Sequence, residues 1–109
     1  MRGMFRPIPR AALPDTMTVR APLPDGTYDE PELICYVRFE RTQKVSDDDH
    51  RSADAGGGTV FVDAVNSVGA FEVAVGSRVA VGGRSMHVAK VERLEDLFGR
   101  VHHWEIEVR

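Results

Sequence analysis

One cysteine, Cys35, stands among the 109 residues, so no disulfide can close within the chain and no zinc site of the finger type can be assembled. Aromatic side chains make up only 7% of the sequence. That is thin provision for a protein that binds nucleic acid by stacking bases on one sheet face. A surplus of positive charge is also missing: 14 Lys and Arg face 17 Asp and Glu, for a net charge of −3. A dedicated nucleic-acid binder usually carries the opposite balance. No apolar run approaches the roughly 18–20 residues that cross a bilayer. No segment repeats, and none holds a long helical period. The length allows one domain and excludes a multi-domain enzyme.

What is present is enough for one small core. Hydrophobic residues make up 42% and charged residues 28%, the balance of a globular domain. A domain of this size buries a modest share of its surface and gains from assembly.

Residues 1–15 form a basic, proline-rich arm, with Arg2, Arg6 and Arg10 beside Pro7, Pro9 and Pro14. The arm lacks the continuous apolar core of a signal peptide. Its prolines fix φ and remove donors, which favours an extended course over a helix. Two readings stand: a frayed terminus, or a docking arm in which Phe5, Arg6, Pro7, Ile8, Pro9 and Arg10 clasp a neighbour, with Phe5 and Ile8 filling its pockets.

Residues 16–109 read as one β domain. Thr16–Ala21 alternates polar and apolar, and Pro24-Asp25-Gly26 supplies turn chemistry. Glu32–Thr42 is the next strand, with Leu33, Cys35, Val37 and Phe39 on one face and Arg38 and Glu40 on the other. Cys35 is then a small packed side chain. Thr59–Val65 sets Val60, Val62 and Ala64 against Phe61, Asp63 and Val65. Phe71–Val75 is a turn of helix or an edge strand. Gly82-Gly83 joins two alternating runs as a tight hairpin, Val79 and Val81 opposing Met86 and Val88. Leu94–Arg100 is a loop or short helical turn. In the last strand, Val101–Arg109, Trp104, Ile106 and Val108 share the buried face. The pattern predicts an all-β fold, a small antiparallel barrel or sandwich.

Residues 43–58 break the pattern. Val45, Ala53 and Ala55 are the only apolar members, so the stretch cannot bury enough surface to offset its ordering and reads as a long flexible loop. Asp47, Asp48, Asp49 and His50 are hard-metal ligand types. They lack the alternating positions, central glycine and closing glutamate of a calcium loop, so the run reads as a solvated acidic segment. Gly56, Gly57 and Gly58 precede a strand with no following Lys-Ser/Thr, which makes them a hinge and not a phosphate cradle. His102 and His103 should point to opposite faces of a regular strand and cannot chelate together. No nucleophile elbow is present. The chain is therefore read as a non-enzyme with no catalytic residue, metal or cofactor.

Taken in order, several segments resemble the small minor capsid or head-closure proteins of tailed bacteriophages. They are Pro7–Arg10 with Leu13-Pro14 leading into Thr16–Val19, the Asp25–Tyr28 turn, and Glu30-Pro31 before Val37–Glu40. Phe61–Ser67, the Val75–Val79 and Gly83-Arg84 hairpin, and Leu97 through His102–Glu107 follow. The resemblance covers nearly the whole chain; residues 43–58 match no part of it. It implies a virion structural protein at the head–tail junction, present in the host cytoplasm during assembly. Its partners would be a portal or adaptor ring, tail proteins and further copies of itself in a ring that seals or extends the DNA channel. DNA would be passing cargo, and no membrane would be involved. A head-to-tail interface closes a ring when the rotation per subunit is right. Acidic residues 47–49 would line the channel and keep DNA from sticking.

Two rivals use the same residues. One is a small β-barrel nucleic-acid-binding module, for which Tyr36, Phe39, Phe61, Phe71 and Trp104 would have to leave the core faces to which they are mostly assigned. The other is a metal-dependent enzyme built on Asp47–Asp49 with His50, for which no second ligand cluster is evident. With the arm and the loop set aside, roughly 80 residues remain for the core, near the size at which a lone core is marginal.

Overall fold

A computed structural model describes residues 6–42 and 57–109. Asp47, Asp48, Asp49, His50 and Gly56, and Phe5 at the other end, lie outside the described residues. Six strands, β1 (Asp15–Arg20), β2 (Glu32–Arg41), β3 (Gly58–Asp63), β4 (Arg78–Val81), β5 (Arg84–Glu95) and β6 (Val101–Val108), close into a barrel in the order β1-β2-β3-β6-β5-β4. All the pairings are antiparallel, and β4 returns to β1. The all-β expectation is borne out as a barrel.

The alternating runs bury the residues that their period assigns. Met17, Val19, Val60, Val62, Val79, Val81, Met86, Val88, Trp104, Ile106 and Val108 fill the interior. Gly82 and Gly83 have φ of 61° and 76°, the two left-handed residues of the predicted two-residue hairpin. The β5–β6 connection is tighter than expected. β5 runs on to Glu95, and Asp96–Arg100 is only a hairpin tip, closed by Asp96 N–H to the Arg100 carbonyl at 2.8 Å. Phe71–Val75 is neither helix nor strand. It is irregular chain that inserts Val73, 2% exposed, into the core.

The faces of β2 differ from the reading of a regular strand. Ile34 and Val37 are fully buried, whereas Leu33 is exposed and Cys35 only half-buried. The cause is a bulge. Asp15 pairs with Val37 and Thr16 with Cys35, leaving Tyr36 as the extra residue, at a φ of 64°. That conformation is unusual for a bulky side chain, and its neighbours hold it in place. Cys35 and Val68 exchange both backbone hydrogen bonds at 3.0 Å, the Ser67 hydroxyl donates to the Tyr36 carbonyl, and the Asp15 carboxylate accepts from Phe39 N–H at 2.9 Å. Tyr36 therefore leaves the core for the surface, where the Arg10 guanidinium covers its ring at 4.4 Å.

Gly57 and Gly58, expected in a hinge, are built into the barrel wall. Gly58 pairs with Arg41 on one side and Val108 on the other. A Cβ on Gly58 would collide with the Glu40 carbonyl oxygen and come within 2.8 Å of the Phe39 ring; one on Gly57 would sit 2.7 Å from the Val108 carbonyl oxygen. Glycine is required here for close approach of backbones. Gly58→Ala is expected to cost about 1–3 kcal/mol, read as a lower urea midpoint with an unchanged slope. An unchanged midpoint would contradict this packing.

Candidate functional site

One end of the barrel gathers the arm, the turn after β3, the β5–β6 hairpin tip and the start of β6. Asp63 is its centre. The strand period puts this side chain on the outer face, yet it is 0% exposed because the arm and its own turn cover it. A buried carboxylate persists only when its oxygens are satisfied. Asp63 accepts from Ile8 N–H at 2.9 Å on one oxygen, and from Val65 and Asn66 N–H at 2.9 and 2.8 Å on the other. The Asn66 side-chain amide donates to the Ile8 carbonyl at 2.8 Å, and Arg10 Nε to the Asn66 carbonyl at 3.3 Å. Ser67 Oγ accepts from Asp63 N–H at 2.8 Å while donating to Tyr36, so the same turn braces the bulge.

Ile8, read as a residue for a neighbour's pocket, is thus tied through both of its backbone polar groups to its own barrel. Beyond Ile8 the arm takes one 3-10 turn, Arg10–Ala12, and buries Leu13 before entering β1. Arg6, Pro7, Pro9 and Arg10 stay exposed.

His102 and His103 do not diverge as adjacent strand residues should. Glu95 pairs with Val101 and Leu94 with His103, so His102 is an extra residue in a second bulge. The two Nδ1 atoms lie 2.8 Å apart, with the ring planes at 82°. His102 Nε2 reaches the Arg6 carbonyl oxygen at 2.6 Å, and His103 Nε2 reaches the Glu105 carboxylate at 3.0 Å. Phe61, on the outer face, stacks on His103 with the ring centres 6.3 Å apart. Tyr36 and Phe61, outward on their strands, are therefore engaged by side chains of the same molecule.

Beside His102 a groove of about 280 Å3 has an apolar wall of Pro7, Val65, Phe98 and Val101 and a polar rim of Asp96, Arg100 and His102. Val65, Leu97 and Phe98 are 69%, 73% and 76% exposed, a concentration of apolar surface that the barrel itself does not use. Asp96 shapes the tip: its carboxylate accepts from Phe98 N–H at 2.8 Å and Arg100 N–H at 3.0 Å. The Arg100 amide first, then the Phe98 amide and the charges of Arg100 and His102, hold its pKa below the usual carboxylate value. On the β5–β6 wall, Glu72 accepts two bonds from Arg93, at 2.8 and 3.0 Å, and one from Trp104 Nε1 at 3.0 Å. The Arg93 bond first and the indole N–H second lower its pKa as well.

Among the described residues no group of three or more His, Cys, Asp or Glu is placed to hold a metal ion, and no helix is long and apolar enough to cross a membrane. The sequence profile of a family described as "Minor capsid protein" matches residues 23–108, which covers β2 to β6 and the hairpin tip. The chain belongs to the minor capsid protein family. The resemblance read from its motifs is borne out: this is a bacteriophage structural protein that assembles with other virion proteins. No curated protein and no solved structure matches the chain at a significant level. The arm with Ile8 and the strand β1 lie outside the matched stretch, whereas Asp63, Asn66 and Ser67, which receive the arm, lie inside it.

Two measurements check the geometry. Asp63→Ala strands three amides and is expected to cost about 3 kcal/mol or more, seen as a lower melting temperature; Asp63→Asn, which keeps one acceptor oxygen, should cost less. A melting temperature unchanged in Asp63→Ala would contradict the assignment. For Asp96 the folded pKa lies below the unfolded one, near 3.9. Its stabilisation is therefore present above that value and lost as the pH falls through the lowered folded one. The Phe98 and Arg100 amides should lose protection in that acid range, and in Asp96→Ala should lack it already at neutral pH.

Proposed function

We propose that this minor capsid protein is a head-closure or connector subunit that forms a ring at the head–tail junction and helps to seal or extend the DNA channel. The observation that carries the reading is the exposed apolar end of the barrel, taken with membership of a capsid family. A closed barrel offers no strand edge for pairing with a neighbour. Association between copies must then use side chains, loops or the arm, and Val65, Leu97 and Phe98 supply the apolar contact. The occupant of that end is the next copy in the ring. Its contact is head-to-tail, since one end of one subunit meets a different face of the next.

Residues 47–50 with Gly56 belong to the segment that would project into the channel, while Gly57 and Gly58 anchor its end in the barrel wall. Three consecutive carboxylates there would repel passing DNA and leave it free to slide. The exposed Arg6, Pro7, Pro9 and Arg10 remain available to a portal or adaptor ring above and to tail proteins below. The net charge of −3 agrees with DNA as cargo and not as a bound partner.

Leu97→Asp combined with Phe98→Asp tests the proposed interface. Both side chains are about three-quarters exposed, so the isolated domain should keep its stability to within about 0.5 kcal/mol. The doubly substituted chain should fail to enter neck complexes when expressed with the other virion proteins, as read by sedimentation and electron microscopy. Normal incorporation would overturn the role given to this end.

A further inference from the structure

Each ring nitrogen of His102 and His103 faces a partner within hydrogen-bond distance. The Arg6 carbonyl can only accept, so His102 Nε2, 2.6 Å away, carries a hydrogen. The ionised Glu105 carboxylate can also only accept, so His103 Nε2 carries one as well. The two Nδ1 atoms then face each other at 2.8 Å. If both rings are neutral, their hydrogens are spent on Nε2 and two lone pairs confront each other. If both are charged, two N–H groups collide. One additional proton, lying between the Nδ1 atoms, satisfies every nitrogen.

We infer that His102 and His103 share a single proton and together form a proton-dependent latch that holds the arm to the barrel through the Arg6 carbonyl. The latch stands independently of the proposed ring. Its electrostatic surroundings are asymmetric. On β6, Glu105 faces His103; on β5, Glu92 is paired opposite Glu105. On β3, Asp63 is paired opposite His103 but spends its oxygens on the amides of Ile8, Val65 and Asn66. From the hairpin tip, Asp96 and Arg100 line the groove with His102, and Glu95 turns to Arg93. The arm contributes the Arg6 backbone. The carboxylates favour a pair carrying one positive charge, and the Nδ1 contact opposes a second.

The sign of the pH effect follows from the proton count. With the arm docked, the pair holds one proton more than two neutral imidazoles and one fewer than two imidazolium rings. Docking is therefore weakened on both sides of the pH at which the pair holds that single proton. On the alkaline side each pH unit should weaken docking by up to about tenfold, the limit for one linked proton.

The test uses the full chain. Amide exchange of Ile8, whose N–H is bonded to Asp63, is followed from pH 5.5 to 9 and corrected for intrinsic exchange, alongside imidazole nitrogen spectra. The expected profile is a maximum of Ile8 protection within the scanned range, with a fall on its alkaline side. His102→Gln keeps an N–H donor for the Arg6 carbonyl but cannot change charge, and should flatten the profile. His87, exposed and near Tyr28 on another part of the barrel, serves as control, and His87→Gln should leave it intact. A flat profile in the unaltered chain, or a peak that survives His102→Gln, would overturn the latch. The nitrogen spectrum decides independently of any variant. Both Nε2 atoms protonated with a shared Nδ1 proton supports the latch, and two bare Nδ1 atoms at the pH of greatest protection refutes it.

Discussion

Asp63 accepts hydrogen bonds from three backbone amides with none of its surface exposed, and the layout of one whole barrel end follows from that arrangement. Two of the amides belong to its own turn and one to the arm, 55 residues earlier in the chain. A carboxylate in that position is costly if any partner is lost, so turn and arm are coupled: each completes the shell that makes burial of the other's charge partner tolerable. Ser67 extends the coupling to β2 by fixing the Tyr36 carbonyl, and Asn66 extends it by gripping Ile8 from the other side. The arm is therefore part of the folded unit from Arg6 onward, and the apolar groove beside it is lined in part by Pro7.

Two of the β-bulges do the remaining positioning at this end. A closed barrel of six strands is a regular object, and regular strands alternate their side chains strictly. One extra residue at Tyr36 moves Ile34 inward and Leu33 outward; one at His102 brings two adjacent histidine rings onto one another. These two bulges sit at the arm end, where residues 64–68 provide the backbone partners: Val68 for Cys35, and Ala64, which donates to the His102 carbonyl at 3.1 Å. These two irregularities shape the arm end, whereas a third register shift, between Val88 and Lys90, lies opposite the far end of β6.

Much of the fold was legible in the sequence because its signals are local. Alternation in Thr16–Arg20, Val60–Val62, Val79–Val88 and Trp104–Val108 assigns the core, and Gly82-Gly83 fixes a hairpin register. The faces of β2 were not legible, because the extra residue is a tyrosine and not the glycine that usually marks a left-handed position. The role of Asp63 was hidden for a different reason. In the sequence it is a polar residue on the outer face of a strand, and what buries it arrives from the arm. Strict alternation does not carry across the bulge at His102, so the contact between the two histidine rings leaves no mark in the period. A run of glycines suggests freedom, whereas Gly57 and Gly58 answer a demand for space. The acidic run at 47–49 and the arm residue Phe5 lie outside the described residues, and the roles proposed for them rest on composition.

The central claim is that this barrel works as a repeating part of the phage neck, meeting its neighbour through the Val65, Leu97 and Phe98 end. High-resolution electron microscopy of the assembled particle tests it most directly. The account predicts copies of this barrel arranged around the channel axis below the portal, with the hairpin tip at Asp96–Arg100 buried against the next copy. A neck without this chain, or a ring in which that tip faces solvent, would contradict it.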